Sequence, residues 1–253
     1  MKADAAALDP GQTVDAFLGS LVTLVQPEKG HRAGLDAALL QALVPADASG
    51  HAIDLGAGVG TVGFAAAARA RNLIVTAVER EPALVALGRK ALSLPANAGF
   101  AARVAMLEAD AAAADKLAPA DWVLMNPPFD EPRRMRPSPD PARRAAHVAT
   151  NGLLESWTAT AVRLLKPGGM LGLVYRTEGL PNVLAALAAR FGDVRILPVH
   201  AAKDRAAIRI LVRAQRESRG SLKIMPGLVL HRADGGWTEE VDAILRGQAE
   251  LPL

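Results

Sequence analysis

The chain has no cysteine, and that absence removes disulfides and thiolate metal sites at once. It also fits a reducing cytoplasm. The opening MKADAAALDP carries no apolar core of the kind a secretory signal needs. No apolar run reaches the 18 residues that a membrane-spanning helix requires, so no membrane partner is expected. Low-complexity linkers and internal repeats are missing too. The five histidines (31, 51, 147, 200 and 231) show no metal-ligand spacing, and no metal is expected. What remains is a chain of 253 residues, 51% hydrophobic and 22% charged. That is enough to bury one large core, so a single domain over 1–253 is expected. A segment of about 1–48 precedes its first core strand, and an extension of about 216–253 follows its last.

Net charge is only +3, but the basic residues are unevenly spread. Arg133 to Arg144 holds five arginines and one acid, and Arg195 to Lys223 holds eight Lys and Arg against two acids. The first run can attract phosphates. The second reads as a solvated face.

Apolar runs and helix-forming runs alternate. Strands are expected at His51–Leu55, Leu73–Val78, Arg103–Leu107, Trp122–Met125 and Met170–Tyr175. Two more, Val194–His200 and Ala207–Val212, are joined by a polar loop. Helices are expected at Val62–Arg71, Pro82–Leu94, Ala145–Leu165 and Pro181–Arg190. Pro82 sits at a first helical position, and Lys166-Pro167-Gly168-Gly169 is a helix stop. Strands separated by helices imply an α/β fold with a doubly wound, mostly parallel sheet. The last two strands lack a helix between them and should pair antiparallel. Trp122, Trp157 and Trp237 read as core residues.

Ligands of such sheets sit beyond the carboxyl ends of the strands. The first strand ends in DLGAGVG, Asp54 to Gly60. Gly56, Gly58 and Gly60 permit a tight turn and a close backbone approach, and the next helix offers free N–H groups. Glu79 ends the second strand, where an acid can accept both hydroxyls of a ribose. Asp110 follows the third strand and can accept from an adenine amino group. A nucleoside-containing cofactor is expected, and two kinds fit. Gly58, Gly60 and Gly63 satisfy the dinucleotide pattern G-x-G-x-x-G. The longer D-x-G-x-G-x-G, which begins at Asp54, suits a methionine-derived nucleoside without a pyrophosphate.

With these residues, the chain resembles the class I S-adenosylmethionine-dependent methyltransferases. DLGAGVG is similar to their cofactor loop, and Glu79 and Asp110 match their ribose and adenine acids. LLKPGG at 164–169 matches the turn before their fifth strand. The resemblance implies a seven-stranded Rossmann-like sheet of order 3-2-1-4-5-7-6, the last strand antiparallel, with S-adenosyl-L-methionine as cofactor. MNPPF, Met125 to Phe129, resembles the Asn-Pro-Pro-Tyr/Phe motif of methyltransferases acting on planar nitrogens. The stretch Gln26 to Ala46 resembles a segment that lies over the cofactor in the bacterial tRNA(Val) adenine-37 N6-methyltransferase-like group. Pro226 to Gly247 is similar to the C-terminal tail of proteobacterial members. Phe129 departs from the commoner tyrosine: stacking survives, but the phenol hydroxyl is lost.

The motif has a physical logic. An exocyclic amine on an aromatic ring is a poor nucleophile because its lone pair is delocalised. Asn126 Oδ1 and the Pro127 carbonyl can accept its two N–H bonds, which favours a pyramidal nitrogen and stabilises the growing positive charge. Phe129 can stack on the base. Asn126 also borders the cofactor. Pro128, Phe129, Arg133, Arg134 and Arg136 are expected against the substrate, the arginines gripping tRNA phosphates or ordering a lid. Arg32 is expected either on the methionine carboxylate or paired with Asp36, four residues on. His31 lies in the same flanking segment. The activity expected is N6-methylation of an adenine in RNA, in a tRNA anticodon region. The alternatives are methylation of a small molecule or a protein glutamine and, more remotely, a dinucleotide-binding oxidoreductase.

Overall fold

A computed structural model of the chain describes residues 9–29, 32–114, 116–128, 141–251 and 253, with the side chains of 141–151 outside the description. Two strands, β1 (Gln12–Phe17) and β2 (Val22–Pro27), form an antiparallel hairpin ahead of the main sheet. Its turn uses left-handed backbone at Leu18, Gly19 and Ser20. Asn97 pins the hairpin to the domain. Its amide oxygen accepts from Thr23 N at 2.9 Å, and its Nδ2 donates to Thr23 O at 2.7 Å and Ala91 O at 2.8 Å. The fully buried amide thereby uses both of its donors and its acceptor oxygen.

Then follow α1 (Leu35–Gln41), β3 (Ser49–Leu55), α2 (Thr61–Arg69), β4 (Asn72–Glu79), α3 (Pro82–Leu92), α4 (Ala98–Ala101), β5 (Val104–Glu108) and β6 (Ala120–Met125). The second half holds α5 (Pro141–Leu164), β7 (Leu165–Arg176), α6 (Leu180–Leu187), β8 (Phe191–His200), β9 (Ala207–Arg216), β10 (Lys223–Ile224), β11 (Leu228–Val229) and α7 (Glu239–Leu245). The main sheet runs β10-β8-β9-β7-β6-β3-β4-β5, with β11 also on β8. Strand β9 is antiparallel to β7 and β8, and every other pairing in this sheet is parallel.

Helices cover both faces, as burial of a parallel sheet demands. One core joins α1, α2, α3 and α7 to one face, and the other joins α5 and α6 to the opposite face. Ala65, Ala66 and Ala67 of α2 are buried, so the helix lies close on the sheet. No helix of the described residues is long and apolar enough to cross a membrane.

Two expectations need correction. The main sheet has nine strands rather than seven, because the extension after residue 216 adds β10 and β11 to its edge. Two residues each are too short to leave a periodic signal. The same extension completes the core: Leu228, Leu230, Val241, Ile244, Leu251 and Leu253 are all buried. Buried Arg69 ties it down, donating to Gln41 O, Gln41 Oε1 and Val44 O at 2.9–3.2 Å and pairing with Glu250 at 3.4 Å. Trp122 and Trp157 lie in the core, but Trp237 is on the surface, 36% exposed.

Candidate active site

The site grows from the carboxyl ends of β3, β4, β5 and β6, which lie side by side. Leu55 and Met125 are register partners on β3 and β6, so Gly56 and Asn126 leave the sheet next to each other. The amides of Gly56 and Ala57 both donate to Val78 O at 2.9 Å, which folds the glycine loop back over β4.

Each glycine has its own reason. Gly56, Gly58 and Gly60 have φ of +72°, +59° and +94°, which side chains with a Cβ rarely adopt. A Cβ on Gly56 would run into the Trp157 indole, and one on Gly60 into the Phe64 ring. At Gly58 a Cβ would meet nothing within 4 Å, so this backbone faces open space. Gly63 is a packing glycine: its Cβ would lie 2.9 Å from Val75 Cγ1.

The three acids differ in kind. Asp54 is buried at the end of β3, and its Oδ2 accepts the Gly63 amide at 2.8 Å. Burial pushes its carboxyl up to about 7, against the pull of the Gly63 N–H and with a further push from Glu79. Glu79 is buried and held by three amides. Its Oε2 accepts from Gly58 N at 2.8 Å, and its Oε1 accepts from Arg80 N and Glu81 N, both at 2.9 Å. A carboxylate has about four acceptor positions, so an oxygen beside Gly58 keeps capacity for a ligand. Asp110 is exposed, and one of its oxygens caps the turn after β5 by accepting from Ala112 N at 2.8 Å.

Asn126 is half-buried, Pro127 buried and Pro128 exposed. Among the described residues no group hydrogen-bonds to the Asn126 amide. Phe129, Arg133, Arg134 and Arg136 lie outside the described residues, as does His31.

Arg32 does not pair with Asp36. Its Nη2 binds Asp15 Oδ2 at 2.7 Å, and its Nη1 donates to Thr13 Oγ1 at 3.1 Å and Pro27 O at 3.2 Å. Asp36 instead meets Arg209 of β9 at 3.1 Å. The hairpin brings Asp15 closer than the next helical turn brings Asp36. Arg32 is thus a strut of the hairpin, with three of its donor contacts spent there.

Two supports escaped sequence reasoning. Trp157 of α5 forms the floor beneath Gly56, and its buried Nε1 has no acceptor among the described residues. Thr160 Oγ1 donates to Ala112 O at 2.9 Å and anchors the Asp110 turn to the same helix. Partners about a hundred and 48 residues away leave no local signal.

The fold has close counterparts. The family model of the methyltransferase small domain matches residues 32–203. A protein of Agrobacterium tumefaciens described as a predicted O-methyltransferase superposes with a TM-score of 0.73 at 33% identity, over 85% of this chain and 98% of its own. The tRNA1(Val) (adenine(37)-N6)-methyltransferase of Dyadobacter fermentans is 26% identical over 84% of this chain and 88% of its own. The M. jannaschii TYW2 structure, determined with AdoMet bound, shares the fold at a TM-score of 0.56 and 12% identity, over 83% of this chain and 87% of its own. These matches set aside the dinucleotide-binding oxidoreductase, and the chain belongs to the methyltransferase small domain family, an enzyme of the methyltransferase class.

Proposed function

We propose that the chain uses S-adenosyl-L-methionine to methylate the N6 amine of an adenine in RNA, in a tRNA anticodon region. The observation that carries this reading is the place of Asn126. Its amide is free among the described residues, and it leaves β6 beside the glycine loop that leaves β3.

The residues present fit the cofactor. Gly58 offers backbone against open space, the Glu79 carboxylate stands ready for a ribose diol, and Asp110 for an adenine amino group. Asp54 holds α2 in place through Gly63, so that the loop at Gly56 and Gly60 keeps its left-handed turns. When bound, the cofactor supplies a methyl group already activated on a sulfonium.

The protein's task is then positioning. Asn126 Oδ1 and the Pro127 carbonyl accept the two N–H bonds of the target amine and aim its lone pair toward the glycine loop. As the new bond forms, the same oxygens stabilise the positive charge on nitrogen. The proton leaves afterwards to water, so no general base is needed in the transfer step. Stacking on the base is assigned to Pro128 and Phe129, and phosphate contact to Arg133, Arg134 and Arg136. The target adenine must leave its stack to enter. The 26% identical tRNA adenine-N6 methyltransferase supports this substrate class.

The test is a tritiated-methyl assay across tRNA, DNA and protein pools, followed by nucleoside analysis. N6-methyladenosine in tRNA is expected. Asn126→Ala should lower transfer by about a hundredfold or more while adenosylmethionine binding by calorimetry persists. Label in protein or DNA alone, or full activity in Asn126→Ala, would sink the reading.

A further inference from the structure

The chain after β11 opens with a second aromatic feature on the catalytic side. His231 and Trp237 face each other across an isolated antiparallel bridge, turned by Asp234-Gly235-Gly236. Their rings stack at 4.3 Å between centroids and 24° between planes. Trp122 and Trp157 are sealed in the two cores, whereas 36% of Trp237 stays open to solvent.

The hairpin is built into the β8–β9 loop. His231 N donates to Ala201 O at 3.1 Å, Leu230 N to His200 O at 2.8 Å, and Thr238 N to Leu230 O at 3.0 Å. That loop carries Lys203 and Arg205, both exposed and, among the described residues, in no ion pair. Asp204 lies between them, so this loop by itself is net positive by one, while the hairpin and the start of α7 beside it carry Arg232 against exposed Asp234, Glu239 and Glu240.

Direction along the sheet fixes the side. Strand β11 is parallel to β8, β8 and β7 are both antiparallel to β9, and β7 is parallel to β6. The chain therefore leaves β11 at the same edge at which Asn126 leaves β6. Four strand spacings of ~4.8 Å put the hairpin about 19 Å from the Asn126 position. A single nucleoside cannot span that distance, but a strand of RNA can.

We infer that the His231–Trp237 hairpin and the Lys203–Arg205 loop form a second RNA contact, in which Trp237 stacks on an unpaired base while the two cations hold neighbouring phosphates. This rests on the RNA reading of the active site. An indole tolerates any base, and the cations add affinity that falls with salt. The site grips the strand at a distance from the target adenine and adds nothing to the chemical step.

The probes are unmodified bulk tRNA and a synthetic anticodon stem-loop. Trp237→Ala should weaken RNA binding and raise KM for tRNA about tenfold, the range expected for one lost base stack. The kcat at saturating tRNA and the adenosylmethionine affinity should not move. Trp237→Phe should keep most of the affinity but lose the quenching of intrinsic fluorescence on RNA addition. Reversing both cations, Lys203→Glu with Arg205→Glu, should weaken binding and flatten its salt dependence. If Trp237→Ala proves poorly folded, the fluorescence comparison and the charge reversal decide alone. Wild-type methylation of tRNA with an unchanged KM in Trp237→Ala and no Trp237-dependent quenching would overturn this inference and leave the active-site reading intact. Trp237-dependent RNA binding without methyl transfer would do the reverse, and absence of any RNA binding would overturn both.

Discussion

Asp54 Oδ2 accepts the amide hydrogen of Gly63 across 2.8 Å, joining the carboxyl end of β3 to the first turn of α2. The carboxyl is buried, and burial raises it to about 7. A folded state that holds a proton more tightly than the unfolded chain is favoured at low pH. Its contribution is full below the ordinary aspartate value of about 4 and is lost as pH rises through about 7. Urea unfolding between pH 4.5 and 7.5 should show the wild type losing a few kcal/mol relative to Asp54→Asn, which has no proton to lose. Parallel pH profiles for the two proteins would refute this.

The glycine loop separates packing from ligand approach. Gly56→Ala and Gly60→Ala must displace the Trp157 and Phe64 rings and should cost about 2–4 kcal/mol of stability or prevent folding. Gly58→Ala meets no atom and bears only its left-handed backbone, about 1–2 kcal/mol. It should fold, yet bind adenosylmethionine at least tenfold more weakly because its Cβ enters the open space above the loop. Melting curves and calorimetry distinguish the three.

Glu79→Gln replaces an all-acceptor group with one that must donate from one end. Whichever way the amide turns, an N–H faces an N–H, at Gly58 or at Arg80 and Glu81. A loss of about 1–3 kcal/mol in stability is expected, with weakened adenosylmethionine binding. Retention of both would mean that the loop adjusts freely.

Arg69→Met should be far more damaging than Glu250→Ala. The first strands three carbonyl-type acceptors in the core, at about 2–3 kcal/mol, whereas Glu250 is half in water and should cost under about 1 kcal/mol. Denaturant midpoints of the two variants give the comparison.

Much of this was legible in the sequence. The buried interior strands announce themselves as apolar runs, and strand-end residues 54–60, 79, 110 and 126 are found by a rule of topology rather than by contact. What stayed hidden was long in range or short in length. Arg32 meets Asp15 only because β1 and β2 fold back, and Asp36 meets Arg209 across 173 positions. The β1–β2 hairpin turns through Leu18, Gly19 and Ser20, of which Leu18 has no turn signature. Strands β10 and β11 owe their existence to β8 alone.

The glycine loop and Asn126 issue from adjacent rungs of one parallel ladder, Asp54 against Leu124 and Leu55 against Met125. Nothing hinged stands between the two. Their separation is a rigid gauge set by backbone hydrogen bonds in the middle of the sheet. Bulkier or smaller side chains along that seam, at Ala52 or Trp122, would therefore cost stability while leaving the gap itself unchanged.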